Sequence, residues 1–170
     1  MDEENWILRD DPEPTEQEKL YEEAHKRMTE KVARYDERLL TVIKTHLSCE
    51  EALNQLLGAA GRSWKGKKFA GKLYVGREII QPKELDDRLW DVADAGNKLR
   101  NSVAHGHDEA VIAARMSELR EAFIAANTLE QKPHIEGMTD PQLVTSAFNH
   151  CGSHMIVAAD RIAQSRKKKG

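Results

Sequence analysis

The chain is poor in cysteine. Only Cys49 and Cys151 occur in 170 residues, and their spacing matches neither a metal site nor a disulfide framework. A reducing compartment is therefore expected. No apolar run approaches the ~18–20 residues that cross a bilayer, and the acidic N-terminus is unlike a signal peptide. The expectation is a soluble, cytoplasmic protein without a membrane partner. Positive charge is not in excess either: 26 Lys and Arg against 29 Asp and Glu give a net charge of −3. This excludes a generally basic nucleic-acid coat and confines any such contact to a local patch. Strand-like alternation, internal repeats and a glycine-rich phosphate loop are all absent. What remains, 39% hydrophobic and 32% charged, suits helices with solvated faces.

Residues 1–14 are acidic and proline-bearing and are expected to be a disordered lead-in. Thr15 and Glu18 have the spacing of a capping box. A helix follows, with Leu20, Ala24, Met28, Val32, Tyr35, Leu39, Val42, Ile43 and Leu47 at helical spacing. Its first half is heavily charged, and the core is expected to begin at Asp36. Ser48 and Glu51 repeat the capping-box pattern, which favours a break or kink near Ser48 ahead of Leu53, Leu56 and Leu57, with one continuous helix as the alternative. Between Arg62 and Arg77 there are basic residues and no acid. Phe69 and Leu73 would anchor a short helix there. Lys65, Lys67, Lys68, Lys72 and Arg77 read either as a solvated face or as a phosphate-attracting patch interleaved with Trp64, Phe69 and Tyr74.

Pro82 suits the first turn of the next helix, which carries Leu85, Leu89, Trp90, Val92, Leu99 and Val103 and stops at Gly106. Asp108 is a candidate N-cap for a helix with Val111, Ala114, Met116, Leu119, Ala122 and Phe123. Residues 129–138 read as a loop. Thr139-Asp140-Pro141 opens a last helix running to about Gln164, ahead of a basic tail at 166–170. The fold class is all-α: a single helical domain over 15–165, with its core at 36–128 and an additional C-terminal helix at 139–164.

Chemistry concentrates in Asn97–Gly106. Asn101 and His105, four apart, share a helical face. Arg100 and His105, five apart, diverge by about 140° at ~100° per residue. Either the helix loosens at its end or a second copy of the chain completes the site. Taken alone, Arg100 also reads as a surface residue paired with an acid, and His105 as a helix-terminal histidine bonded to the last carbonyls. His150 and His154 put two imidazoles on one helical face beside Cys151, but no third ligand is spaced to help, so no metal is assigned. Ser102 near His105 lacks an orienting acid and an elbow turn.

The run Arg100-Asn101-x-x-Ala104-His105 resembles the Arg-x4-6-His signature of the HEPN (higher eukaryotes and prokaryotes nucleotide-binding) domain superfamily, many members of which are metal-independent ribonucleases. The likeness extends to Leu39-Leu40, His46-Leu47, Glu50, Leu53 and Leu56-Leu57, which look like the first core helices of several HEPN groups, and to Phe69-x2-Lys72-Leu73. It covers residues 36–128. One departure is clear: where a tyrosine commonly follows two positions after the motif histidine, this chain has His107. The resemblance therefore does not support modification of a motif tyrosine by a nucleotidyltransferase antitoxin.

The resemblance implies a HEPN-like bundle of four to five helices with an N-terminal helical extension, and a homodimer in which two motifs meet. It implies an endoribonuclease of toxin or anti-phage type, with Arg100 and His105 catalytic and no cofactor. RNA and a regulatory protein such as an antitoxin would be its partners. Asn101 would position the motif or contact phosphate, Glu50 would orient Arg100, and His107 lies close enough to contribute. The alternative is a non-catalytic HEPN module that binds nucleotide, RNA or a partner protein. The residue types suit cleavage: histidine transfers protons near neutral pH, and the planar arginine fork holds two phosphate oxygens.

Overall fold

The computed structural model describes residues 14–168, and among these it is all-helical, without a strand. The helices are α1 (Glu16–Ala59), α2 (Phe69–Ile79), α3 (Asp87–Ala104), α4 (Glu109–Ala125), α5 (Lys132–Glu136) and α6 (Asp140–Lys167), with a 3-10 turn at Leu129–Gln131. The chain divides into two compact units, Met1–Asp36 and Glu37–Gly170. No described helix is long and apolar enough to cross a membrane.

In the first unit, the Thr15 backbone N–H donates to Glu18 Oε2 at 2.7 Å and Glu18 N–H donates to Thr15 Oγ1 at 3.3 Å. This is the reciprocal capping box that starts α1. Residues 14–33 are exposed throughout, Leu20, Met28 and Val32 included. Of the acidic lead-in expected over residues 1–14, residues 1–13 lie outside the described residues.

The second unit begins with the buried seam of α1: Val42, His46, Cys49, Leu53 and Leu56. That seam runs straight past Ser48, where a break is expected from the capping pattern. Ser48 Oγ instead donates back to the Lys44 carbonyl at 3.3 Å, and Glu51 stays exposed. Burial of an unbroken apolar stripe outweighs a local capping preference of about 1 kcal/mol.

A second correction concerns α3. Pro82 lies in a turn closed by the Glu84 N–H on the Gln81 carbonyl, not in the first turn of the helix. Asp86 caps the helix, accepting from the Arg88 backbone N–H at 2.9 Å. From there α3 buries Leu89, Trp90, Val92, Ala93, Leu99 and Val103, each large side chain stabilising the fold by about 1.5–3 kcal/mol. It packs against α2, α4 and α6. Two glycines permit close approach to neighbouring helices: a Cβ at Gly96 would sit 2.7 Å from the Phe148 ring of α6, and one at Gly76 of α2 would sit 2.6 Å from the Trp90 ring.

In α4 the buried face is Ile112, Met116, Leu119 and Phe123, while Val111 and Ala114 of the expected stripe are exposed. The stretch 129–138 expected to be a loop contains the 3-10 turn and α5. Pro133 opens α5, Ile135 is buried, and Arg120 donates to the carbonyls of Ile135 (2.6 Å) and Met138 (3.0 Å). Thr139 and Gln142 form the capping box that starts α6. Leu143, Val144, Ala147, Phe148, Cys151, Met155 and Ala158 make this helix part of the same core rather than an addition to it.

Three contacts order the second unit. Arg38 of α1 meets Glu109 at one end, bonding both carboxylate oxygens at 2.9–3.0 Å. Phe148 of α6 lies between His46 and Gly96 in the middle. At the other end Arg166 Nη2 donates to the Ala60 carbonyl at 2.8 Å. Helices α1 and α6 thus run parallel, with α3 antiparallel to both.

Candidate functional site

The end of α3 is built by its backbone. Gly106 adopts φ 64°, the left-handed region open to glycine. That turn lets the His107 N–H reach the Ser102 carbonyl at 3.0 Å and the Gly106 N–H reach the Val103 carbonyl at 3.1 Å. This is the Schellman pattern, and it satisfies the final carbonyls without a side chain. The His105 N–H goes to the Asn101 carbonyl at 3.0 Å. The imidazole of His105 is consequently not consumed in capping. It is exposed, with the His107 ring 6.2 Å away at 29°.

Arg100 faces the other way. It is half-buried; its Nη1 donates to Asn101 Oδ1 at 3.0 Å, and its Nε is buried without a partner. Among the described residues it forms no ion pair with a carboxylate. Helix α3 remains regular through Ala104, so within one chain Arg100 and His105 share no hydrogen bond and do not converge on one target.

Arg100 instead joins an internal polar cluster. His46, 3% exposed, lies against Phe69 with ring centroids 4.3 Å apart and edge-on to Phe148 at 5.8 Å. Its Nε2 is buried without a partner. Burial first, then the positive charges of Arg100 and Lys72, hold His46 below the ordinary histidine range, with Glu50 and Asn97 opposing. Glu50 does not pair with Arg100. Its Oε1 accepts from Lys72 Nζ at 2.6 Å instead. Sequence reasoning left His46 and Asn97 out of the site; the available signal was their spacing, four before Glu50 and three before Arg100 on their helices.

The candidate phosphate patch is redistributed. Lys65, Lys67 and Lys68 are exposed. Lys72 turns inward to Glu50, and Arg77 pairs with Asp91 at 2.8 Å, so neither belongs to a free cationic surface. The two cysteines are both buried. Burial pushes the Cys49 thiol up to about 12 and holds the Cys151 thiol well above its ordinary value, and Cys151 Sγ points at the Leu89 carbonyl, 3.6 Å away. His150 and His154 lie with ring centroids 4.6 Å apart. Among the described residues no group of three or more His, Cys, Asp or Glu is arranged to hold a metal ion.

Comparison of the chain with protein-family models, with curated proteins and with solved structures finds no match.

Proposed function

We propose that the chain is a metal-independent endoribonuclease of HEPN type, of the toxin or anti-phage kind, with its Arg-x4-His motif completed at a homodimer interface. The observation that carries this reading is the state of the two motif side chains. The structural alternatives for each would have used them up, an acid pairing with Arg100 and the helix carbonyls binding His105. Neither occurs among the described residues: Arg100 has no carboxylate partner there, and the Schellman turn leaves the His105 imidazole exposed.

In the proposed reaction the ribose 2′-oxygen attacks phosphorus and the bond to the 5′-oxygen breaks, leaving a 2′,3′-cyclic phosphate and a 5′-hydroxyl. One His105 imidazole accepts the 2′-hydroxyl proton, and that of a second copy, protonated, delivers a proton to the departing oxygen. Arg100 stabilises the charge that develops on the non-bridging oxygens. Asn101, bonded to Arg100, positions the guanidinium. A dimer also supplies the convergence that one regular helix denies to residues five apart. Loss of RNA cleavage in EDTA on replacing His105 or Arg100 by alanine tests this assignment.

A second reading, a non-catalytic HEPN module binding nucleotide, RNA or a regulatory partner, is favoured by one observation. Glu50 and Asp91 neutralise Lys72 and Arg77, which thins the cationic surface that holds an RNA substrate. Binding of RNA without cleavage, unaffected by His105→Ala, would select it.

A further inference from the structure

The net charge of −3 conceals an uneven distribution of charge along the chain. Residues 52–77 and 161–168 together contain ten of the 26 Lys and Arg and none of the 29 Asp and Glu. These stretches are about a hundred positions apart in sequence, yet they meet at one end of the second unit. Arg166 Nη2 donates to the Ala60 carbonyl at 2.8 Å, and its guanidinium lies against Gly61, where a Cβ would come within 2.9 Å. This seats the end of α6 beside the loop that carries Arg62, Lys65, Lys67 and Lys68, all exposed. Lys167 and Lys168, also exposed, follow directly. None of these six forms an ion pair among the described residues, whereas Lys72 and Arg77 nearby do.

We infer that the α1–α2 loop and the C-terminal end of α6 form a composite anchor for the phosphate backbone of single-stranded RNA, remote from the motif. Unpaired cations from two directions suit a flexible polyanion that follows the surface. A bilayer fits less well, because the loop and helix end that carry these six cations expose no large apolar side chain of their own; the exposed ones nearest in sequence are Tyr74, whose ring can also stack on a base, Ile156 and Val157. The anchor is remote because Arg38 and Ala59, at the end of the helix, are 21 residues apart along α1, about 32 Å at ~1.5 Å per residue. Arg38 meets Glu109, four positions beyond His105. RNA held at the anchor must therefore run on to reach a motif, and the anchor contributes affinity rather than chemistry. The choice of RNA as occupant rests on the ribonuclease reading.

The test measures binding of fluorescently labelled oligouridine to the full chain carrying His105→Ala, by anisotropy over a series of KCl concentrations. For single strands, log affinity falls with log salt at about 0.7 per phosphate contact. Replacing Lys65, Lys67 and Lys68 with glutamine should reduce that slope by about 2 and weaken low-salt binding at least about tenfold. Replacing Lys167 and Lys168 should reduce it by about 1.4. All are exposed, and circular dichroism checks that the helices persist. A slope unchanged in either variant overturns the composite anchor. So does loss of phosphatidylserine-vesicle binding in the variants while oligouridine binding is unaltered. If the wild type fails to cut RNA but the slopes change as stated, the anchor stands and the nuclease assignment falls. If it cuts and the slopes do not change, the reverse holds.

Discussion

Lys72 reaches from α2 to set its ammonium 2.6 Å from the Glu50 carboxylate of α1, with 8% of its side chain exposed. Two helices are thereby tied by a charge pair at the edge of the cluster that surrounds His46 and Arg100. Removing one partner of a buried pair leaves the other unpaired and costs about 3–5 kcal/mol. Glu50 is a quarter exposed, so water offsets part of that loss. Lys72→Met should lower unfolding free energy in urea by about 2–4 kcal/mol, and adding Glu50→Leu should restore most of it. A Lys72→Met variant as stable as the wild type would contradict a structural role for the pair.

That pair also shows where the sequence was legible and where it was not. Helix content followed from local signals: the capping box at Thr15, the helix start at Thr139-Asp140-Pro141 and the glycine stop at Gly106 each act within a few residues, and each forms as expected. The position of Ser48 carried a genuine capping pattern, but a long-range cause decided the outcome, the continuous seam from Val42 to Leu56. Lys72 could not be separated from Lys65, Lys67 and Lys68 by composition, since only the packing of α2 on α1 turns it inward. Likewise nothing in the linear sequence places Arg166 on Ala60. The motif itself was visible, and its geometric difficulty was too: the spacing of Arg100 and His105 already implied divergence on one helix.

His46 should give stability a pH dependence of defined sign. Its folded-state proton affinity lies below the ordinary histidine value of 6.5, chiefly because it is buried. The unfolded chain therefore binds a proton that the folded chain rejects. This contribution is complete above about pH 6.5 and is lost as pH falls from there toward the lower native value, at up to about 1.4 kcal/mol per pH unit. His150, displaced the same way by burial and His154, adds to the trend. Urea midpoints measured from pH 7.5 down should fall below pH 6.5. In His46→Phe, which keeps a ring beside Phe69 and Phe148, the decline should be shallower. An equal decline in both proteins would remove His46 as its source.

Both cysteines should be inert in the folded protein. Their raised thiol values keep the reactive thiolate scarce at neutral pH, and burial denies access. Iodoacetamide with mass detection at pH 7.5 should leave the native chain unmodified and add two carbamidomethyl groups in concentrated urea. Rapid modification of either thiol without denaturant would show that the α1–α6 contact opens far below the global unfolding free energy.

Cleavage of total RNA in EDTA by the purified wild-type chain and by His105→Ala bears most directly on function. Wild-type protein should produce fragments ending in 2′,3′-cyclic phosphate, and His105→Ala should reduce the rate at least about a hundredfold, the lower range for loss of a proton-transfer residue. The variant is expected to keep its helical signal, because the imidazole is exposed and the backbone closes the helix end. Equal cleavage by the two proteins, or none by either, would contradict the assignment of His105 as a catalytic group.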